Sequence, residues 1–215
     1  MNCIVTAGPT YEPLDDVRRL TNFSTGRLGT ELANFLAARG HHVTLLIGVQ
    51  ATYPGERKAQ RIETFTTTAD LQARLKTHAS ETMHAVFHAS AVSDFAFGKI
   101  QLRLPSGELA EVKSKKISTR AGRLFAELVP TPKIIAELRG WFPSARLVGW
   151  KFEADGGRME AIAAARRQLA DCRTDLCVAN GAAYGEGFGL VTADRETHVA
   201  SAELLFASLA TLLRG

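Results

Sequence analysis

Short, strongly apolar runs alternate with stretches whose apolar residues recur at helical spacing, and this alternation constrains the fold of the chain more than any other feature. The runs predict buried strands, and the stretches between them predict amphipathic helices that end at glycine or proline signals. Such alternation favours a mostly parallel sheet that is covered on both faces. We predict strands over residues 2–7, 43–47, 61–65, 85–91, 145–152 and 175–179, and helices over residues 28–38, 69–78, 132–139, 157–170 and 202–213.

Residues 95–128 interrupt this alternation. Turn signals at Gly98, residues 105–107 and Gly122 separate short runs of alternating polarity, which indicates an inserted hairpin and flap. The purpose of an extra stretch over residues 98–110 is not evident from its sequence. The 215 residues show no internal repeat and no linker, so we predict one α/β domain of the Rossmann-like, doubly wound type.

Composition excludes several classes of protein. The longest apolar run, residues 204–213, is shorter than a membrane span, and the N-terminus does not resemble a secretion signal. Three cysteines cannot build a disulfide framework, and the six histidines lack the spacing of metal ligands. We therefore expect a cytoplasmic protein with no membrane partner and no protein-bound metal.

The net charge of +4 is a mild basic excess that suits an anionic small ligand. The densest basic cluster lies between Lys113 and Arg123, where aromatic residues are absent. A single-stranded nucleic acid would need aromatic side chains for stacking, so we expect no nucleic-acid partner.

Glycine and hydroxyl residues stand where ligands bind in open α/β sheets, beyond the carboxyl ends of the strands. Gly8 follows the first strand, while Ser24, Gly26 and Gly29 lead into the first long helix. Free N–H groups at such a helix N-terminus favour a phosphate, and the structural alternative for the glycines is helix capping with close helix–sheet packing. Gly26 lies 18 residues beyond Gly8, so the tight dinucleotide fingerprint is missing.

Three further groups each have a functional and a structural interpretation. Ser90 and Asp94 follow a strand, where a carboxylate would accept from a ligand or would simply cap a turn. Trp150 and Asn180 would stack and bond a base, or would be a core aromatic and a turn residue. The lysines of residues 113–116 would close over phosphates, or would form a solvated strand edge.

Together these motifs resemble one family, the phosphopantothenoylcysteine synthetases (phosphopantothenate–cysteine ligases) of coenzyme A biosynthesis. The resemblance is carried by residues 6–29, 90–95, 113–116, 149–153 and 178–180, and it extends over nearly the whole chain. Many bacterial members are fused behind a flavin-dependent decarboxylase. Because such a domain is absent from this sequence, the resemblance implies a stand-alone synthetase that works alongside a separate decarboxylase.

The resemblance implies a ligase that joins 4′-phosphopantothenate to L-cysteine. The substrate carboxylate would attack the α-phosphate of CTP or ATP, pyrophosphate would leave, and the cysteine amine would then displace the nucleoside monophosphate. Mg²⁺ would arrive with the triphosphate. A homodimer is also implied.

The resemblance also implies roles for individual residues. The catalytic residues would be Asn22, which steadies the acyl intermediate, and Lys115, which neutralises developing charge. The others fall into three groups: nucleotide binding by Gly8, Ser24, Gly26, Gly29, Trp150, Asn180 and Lys115; substrate binding by Arg18 (across the dimer interface), Asn22, Ser90, Ala91 and Asp94; and assistance on the flap by Lys113 and Lys116.

The chain departs from the family pattern at several positions. Pro9 replaces a glycine and removes an N–H donor, and Trp150 replaces a phenylalanine. Thr131 and Lys133 replace the ends of an Asn-Pro-Asp segment, which puts a role of that aspartate in nucleotide binding in doubt. The choice between CTP and ATP therefore stays open.

Two other functions remain open at this point. A nicotinamide- or flavin-dependent oxidoreductase on a similar sheet is disfavoured by the missing glycine fingerprint. A non-catalytic subunit that only binds phosphopantothenate is disfavoured by the presence of Asn22 and Lys115.

Overall fold

A computed structural model describes residues 1–112, 116–118 and 122–213. Its helices are α1 (Arg27–Ala37), α2 (Thr68–Thr77), α3 (Ile134–Trp141), α4 (Arg158–Cys172) and α5 (Ala202–Ala210). Its strands are β1 (Asn2–Ala7), β2 (Tyr11–Pro13), β3 (Arg19–Thr21), β4 (His42–Gly48), β5 (Arg61–Phe65), β6 (Ala85–His88), β7 (Phe95–Arg103), β8 (Leu109–Glu111), β9 (Leu124–Pro130), β10 (Arg146–Phe152), β11 (Leu176–Asn180), β12 (Phe188–Val191) and β13 (Glu196–Val199).

Eight strands form the main sheet, in the order β13-β12-β11-β10-β6-β1-β4-β5. The strands from β11 to β5 in this order are parallel, whereas β12 and β13 are antiparallel additions at one edge. The predicted Rossmann-like, mostly parallel sheet is therefore confirmed.

Helices cover both faces of the main sheet. On one face α1 and α5 pack against β1, β4 and β6, through a core that includes Val5, Leu36 and Phe87. On the other face α2 and α3 bury a second core around Ile4 and Phe65, and α4 covers β11. Apolar residues point to both faces because both are covered, which explains the continuous apolar runs in the sequence.

The excursion after β6 folds as a separate antiparallel sheet in the order β8-β7-β9. Its pairing shifts register between Phe97 and Ile100, which brackets Gly98. The predicted extra stretch over residues 98–110 is largely strand β7 and the turn that leads into β8. The prediction of hairpin strands in residues 95–128 is therefore confirmed for the residues that the structure describes.

Several element boundaries differ from those predicted. Strand β6 ends at His88, three residues earlier than expected, and α3 begins at Ile134 because the prolines of that segment precede it. Helix α5 ends at Ala210, and a 3₁₀ turn continues to Leu213. The hairpin of β2 and β3 and the edge strands β12 and β13 were not predicted.

Candidate functional site

A cavity of about 320 Å³ opens at the carboxyl edge of the main sheet, at the N-terminus of α1. Its wall is formed by the backbone that leads into the helix and by strand ends across the sheet. The lining residues are Ser24, Thr25, Gly26, Arg27, Leu28, Gly29, Glu31, Ala89, Phe188 and Ala202. Three predicted nucleotide-binding residues, Ser24, Gly26 and Gly29, therefore lie together in one wall.

The N-terminus of α1 presents backbone donors to this cavity. Gly26 is the capping residue and makes no side-chain hydrogen bond to the helix. The first turn holds no acidic residue, and the Arg27 N–H donates to Thr25 Oγ1 over 3.3 Å. The positive end of the helix dipole thus faces the cavity, and such an end suits a phosphate or carboxylate.

Glu31 is the acidic group in the cavity wall, and it is paired. The Arg27 Nε donates to Glu31 Oε1 over 2.8 Å, and the Tyr53 hydroxyl donates to the same oxygen over 2.9 Å. These contacts raise the pKa of Arg27 and that of Tyr53, because both protonated groups are stabilised by the carboxylate. The pairing partly neutralises Glu31, so its charge opposes an incoming anion less.

The glycines around the cavity permit close packing. A Cβ atom on Gly29 would lie 2.7 Å from Ala7 Cβ, so only glycine lets α1 approach β1 this closely. Gly26 has φ of 79°, and a Cβ there would lie 2.9 Å from Ala51 Cβ. Gly8 has the same left-handed conformation and also packs on Ala51. Close packing therefore explains all three glycines, and their binding of phosphate stays a prediction.

Asn22, Ala91 and Gly8 are joined by hydrogen bonds. The exposed Asn22 side chain donates through Nδ2 to the Ala91 carbonyl over 3.1 Å. The Thr10 N–H donates to the same carbonyl, and the Ala91 N–H donates to the Gly8 carbonyl, each over 3.1 Å. Residues that are 69 positions apart in the chain thus form one rim beyond β1 and β6.

Ser90 and Asp94 lie in different surroundings. The Ser90 N–H donates to Thr6 Oγ1 over 3.1 Å, while Ser90 Oγ is buried without a hydrogen-bond partner among the described residues. Asp94 is exposed just before β7, and its backbone carbonyl accepts from the Thr131 N–H over 2.9 Å. Asp94 therefore belongs to the junction with the three-stranded sheet.

A buried histidine supports this strand edge from within. His88 Nδ1 lies 3.0 Å from Thr6 Oγ1 in the interior. Burial lowers the pKa of His88 to about 4, because the imidazolium form would lose its hydration. The imidazole is therefore neutral at neutral pH.

Arg18 lines a second cavity of about 310 Å³, which it shares with Val17, Lys116, Ile117 and Ser118. Its guanidinium donates through Nε to Asp15 over 3.2 Å and through Nη2 to the Ile117 carbonyl over 2.7 Å. The Ile117 N–H donates to Asp15 Oδ2 over 3.2 Å. These donors, Arg18 above all, hold the pKa of Asp15 well below its usual range.

Asp15 is a residue that the sequence did not single out. Its side chain is 1% exposed, and it ties the turn between β2 and β3 to a backbone segment 102 residues further along the chain. An aspartate in a turn usually bonds only its local backbone, so the sequence offers no signal for this contact.

The predicted flap lysines are described only in part. Lys113 and Lys115 lie outside the described residues. Lys116 is exposed in the wall of the second cavity, beside Arg18. The role assigned to Lys115 is therefore still a prediction.

Trp150 lies two residues before the end of β10, and Asn180 is the last residue of the neighbouring strand β11. Both side chains are half-buried, and the Trp150 ring packs against the core beneath α1 and α5. On the opposite face, Gln168 Nε2 donates to the Trp150 carbonyl over 3.3 Å. This contact fits the structural interpretation of Trp150 as a core aromatic residue, and its binding of a base stays a prediction.

Within the described ranges, no group of three or more His, Cys, Asp or Glu side chains is arranged to hold a metal ion. None of the helices in this part of the chain is both long and apolar enough to cross a membrane.

The model of a known family, the C-terminal domain of the DNA/pantothenate metabolism flavoproteins, matches residues 1–205. The chain belongs to this family. The resemblance seen in the sequence is thereby confirmed at the level of the family.

Curated relatives and solved structures agree with this membership. The chain is 35% identical over 178 residues to the coenzyme A biosynthesis bifunctional protein CoaBC of Thermococcus kodakarensis, with 82% of this chain and 40% of that protein covered. It is 32% identical over 137 residues to CoaBC of Escherichia coli, covering 63% of this chain and 30% of that protein. The chain thus spans less than half the length of these two relatives.

The DNA/pantothenate metabolism flavoprotein from Streptococcus pneumoniae has the same fold. Its crystal structure superposes with a TM-score of 0.87 at 26% identity, and the match covers 100% of this chain and 98% of that one. A mutant of Cab2 in complex with phosphopantothenate-cysteine matches with a TM-score of 0.74 at 19% identity, over 99% of this chain and 86% of that one. At that identity the second match supports the fold alone.

Proposed function

We propose that this chain is a phosphopantothenate–cysteine ligase, which joins 4′-phosphopantothenate to L-cysteine at the expense of a nucleoside triphosphate. The observation that carries the proposal is the N-terminus of α1, which faces a cavity at the carboxyl edge of the sheet without a side-chain cap. Family membership supports the substrate, because the relatives are named for coenzyme A biosynthesis.

The proposed reaction proceeds in two steps. A carboxylate oxygen of phosphopantothenate attacks the α-phosphorus, an acyl–nucleotide anhydride forms, and pyrophosphate leaves. The cysteine amine then attacks the acyl carbon, the amide forms, and the nucleoside monophosphate leaves as the amine loses a proton. Both steps crowd anions together, so the protein mainly has to position them and offset their charge.

The predicted site residues would divide this work. The backbone from Ser24 to Gly29 would bind the triphosphate at the positive end of α1. Asn22, which donates to the Ala91 carbonyl in the free protein, would turn its amide to the acyl group. Lys115 would neutralise the anhydride, and Arg18 would bind the phosphate of phosphopantothenate.

Further predicted positions complete the substrate site. Gly8, Ser90 and Ala91 surround the rim beside Asn22, and Asp94 lies at its outer end. We assign no residue to Mg²⁺, which would be held by the triphosphate and would offset its charge. CTP and ATP both remain candidate co-substrates.

A homodimer would complete the site through the β2–β3 hairpin. Apolar side chains on and around this hairpin are exposed, including Phe23, which is fully exposed, and Val17 at 63%. Burial of such side chains is a driving force for association. Arg18 lies on the same hairpin, so association there would carry it to a second copy of the chain. A flavin-dependent decarboxylase remains a proposed partner of the synthetase.

Pyrophosphate release tests the proposed reaction. The chain is incubated with Mg²⁺, phosphopantothenate and cysteine, and with CTP, ATP, UTP or GTP in parallel. We expect release that requires phosphopantothenate and one or more of the nucleotides. Release without phosphopantothenate, or none with any nucleotide, would contradict the proposal.

The variant Asn22→Asp sharpens this test. A carboxylate cannot donate to an acyl oxygen and repels the anhydride, so we expect a loss of about 100-fold in kcat. Its melting temperature should stay near that of the wild type, because Asn22 is exposed. Asn34→Asp on α1 serves as a control with the same chemical change outside the cavity lining, and it should retain activity.

A further inference from the structure

Thr10, which lies between β1 and β2, is fully buried and contacts three other segments of the chain. Its backbone N–H donates to the Ala91 carbonyl over 3.1 Å, and its carbonyl accepts from Thr21 Oγ1 over 2.9 Å. Its hydroxyl accepts from the Ser93 N–H over 2.8 Å and lies 3.3 Å from Thr68 Oγ1. The polar groups of Thr10 are therefore all used in contacts that join segments distant in sequence.

The contact with Ser93 reaches the junction between the main sheet and the three-stranded sheet. Ser93 and Asp94 stand just before β7, and Thr131 stands just after β9, so the chain enters and leaves the three-stranded sheet at these residues. Thr131 Oγ1 donates to the Ser93 carbonyl, and the Thr131 N–H donates to the Asp94 carbonyl. The Thr10 hydroxyl thus holds a junction in which the two connections are already bonded to each other.

The backbone of Thr10 reaches the rim that carries Asn22. The Ala91 carbonyl accepts from the Thr10 N–H and also from Asn22 Nδ2, each over 3.1 Å. Thr21, whose hydroxyl donates to the Thr10 carbonyl, directly precedes Asn22. Thr10 therefore fixes both the acceptor that Asn22 uses and the backbone from which the Asn22 side chain extends.

We propose that Thr10 is a positioning residue for the ligase reaction, and that it keeps the Asn22 rim in register with the base of the three-stranded sheet. The inference rests on the proposed function, in which Asn22 and Lys115 act on the same acyl group. In sequence Lys115 belongs to the excursion between Ser93 and Thr131. A shift at this junction would change the placement of the two groups relative to each other, and small misplacements slow a reaction strongly.

The hydroxyl can be removed without changing the shape of the side chain. In Thr10→Val the two backbone contacts of Thr10 stay, but the buried Ser93 N–H loses its acceptor. A buried donor without a partner is costly, so the segment at Ser93 should move to find one. Thr10→Ser keeps the acceptor and removes only a methyl group.

Steady-state kinetics on the full chain test the inference. Pyrophosphate release is measured for wild type, Thr10→Val, Thr10→Ser and the control Thr44→Val, which alters a buried threonine of β4. Each variant is assayed at a temperature at which circular dichroism shows it to be folded. We expect Thr10→Val to lose about tenfold in kcat with the KM for nucleotide unchanged, because positioning and not binding is impaired. Thr10→Ser and Thr44→Val should keep the wild-type kcat.

Two further measurements distinguish positioning from a purely structural role. In the background of Asn22→Asp, Thr10→Val should lower kcat little further, because Thr10 acts through Asn22. Amide hydrogen exchange of Thr10→Val should be faster at Ser93 and unchanged in β1 and β4.

A second variant keeps the inference testable if Thr10→Val folds poorly. Thr131→Val removes the donor to the Ser93 carbonyl, which is the next contact along the same junction. It should lower kcat in the same way but by less, because the Thr131 N–H still donates to Asp94.

The outcomes separate this inference from the proposed function. A wild-type kcat in Thr10→Val or, where that variant does not fold, in Thr131→Val would overturn the inference while the wild type still releases pyrophosphate. A loss that Thr10→Ser shares, or losses that multiply in the double variant with Asn22→Asp, would overturn it as well. A wild type that releases no pyrophosphate with any nucleotide would overturn the proposed function, and the inference with it.

Discussion

The main sheet and the three-stranded sheet of β7, β8 and β9 are built from the same chain on different principles. Strands β1, β4 and β6 are buried almost along their whole length, with helices on both faces. Strand β9 has five exposed residues out of seven, and Ile100 is the one residue of β7 that is buried. The main sheet is therefore held by apolar burial, whereas the smaller sheet depends on cross-strand pairing. Equal changes in the two regions should have unequal costs.

The largest predicted difference concerns His88, a titratable group inside the main sheet. Its pKa falls from 6.5 to about 4 on folding, so the unfolded chain binds the extra proton first as the pH falls. The free energy of unfolding should fall by about 3 kcal/mol between pH 6.5 and 4 from this group alone. The free energy of unfolding in urea should be measured for the wild type and for His88→Gln across this pH range. The value for the wild type should fall relative to that for His88→Gln as the pH decreases.

A second variant separates titration from packing. Thr6→Val removes the hydroxyl beside His88 Nδ1 but leaves the imidazole buried. It should be less stable than the wild type at every pH while keeping the slope between pH 6.5 and 4. A slope in His88→Gln that equals the wild-type slope would show that another group dominates.

The sequence predicted the main sheet well because burial on both faces leaves a local record. Residues 4–7 and 43–47 are apolar except for one threonine in each run, and a covered parallel sheet explains this pattern. The hairpin of β2 and β3 left no such record. Its strands have three residues each, and all three residues of β3 are exposed, so no periodicity develops.

Glycine-to-alanine changes compare the packing of the two regions. In Gly29→Ala the new Cβ would lie 2.7 Å from Ala7 Cβ and 2.9 Å from the Thr6 carbonyl oxygen, where the backbone cannot yield. We expect a loss of about 2 kcal/mol. In Gly98→Ala the new Cβ would meet Glu127 Oε2 at 2.6 Å, and that side chain can turn towards solvent. We expect a loss below about 1 kcal/mol there.

Thermal and urea unfolding of the two glycine variants measure this comparison. Gly140→Ala in α3 is the control, because no atom of the described residues lies within 4 Å of the new Cβ, and alanine favours a helix. It should be as stable as the wild type or slightly more stable. Equal losses for Gly29→Ala and Gly98→Ala would contradict the contrast between a rigid and a yielding sheet.

The candidate site was predictable where the chemistry resides in residue type and spacing. Ser24, Gly26 and Gly29 lie together in the sequence and in the cavity wall. Among the described residues Trp150 Nε1 has no hydrogen-bond partner, and this was not predictable because it depends on what surrounds the ring after packing. The contact of Asp15 with Ile117 was equally hidden, because it joins segments 102 residues apart.

The smallest predicted effect concerns Asp15, which joins the hairpin of β2 and β3 to Ile117. Folding lowers the pKa of Asp15, chiefly through its hydrogen bond with Arg18. The Asp15 carboxylate therefore stabilises the fold fully when the pH is above the ordinary pKa of an aspartate, and this contribution is lost as the pH falls below that value. Asp15→Asn should be less stable than the wild type in urea at pH 7, and the difference should shrink by pH 3. The adjacent and exposed Asp16, changed to Asn, controls for net charge. If both variants matched the wild type at pH 7, the contact between Asp15 and Ile117 would contribute nothing to stability.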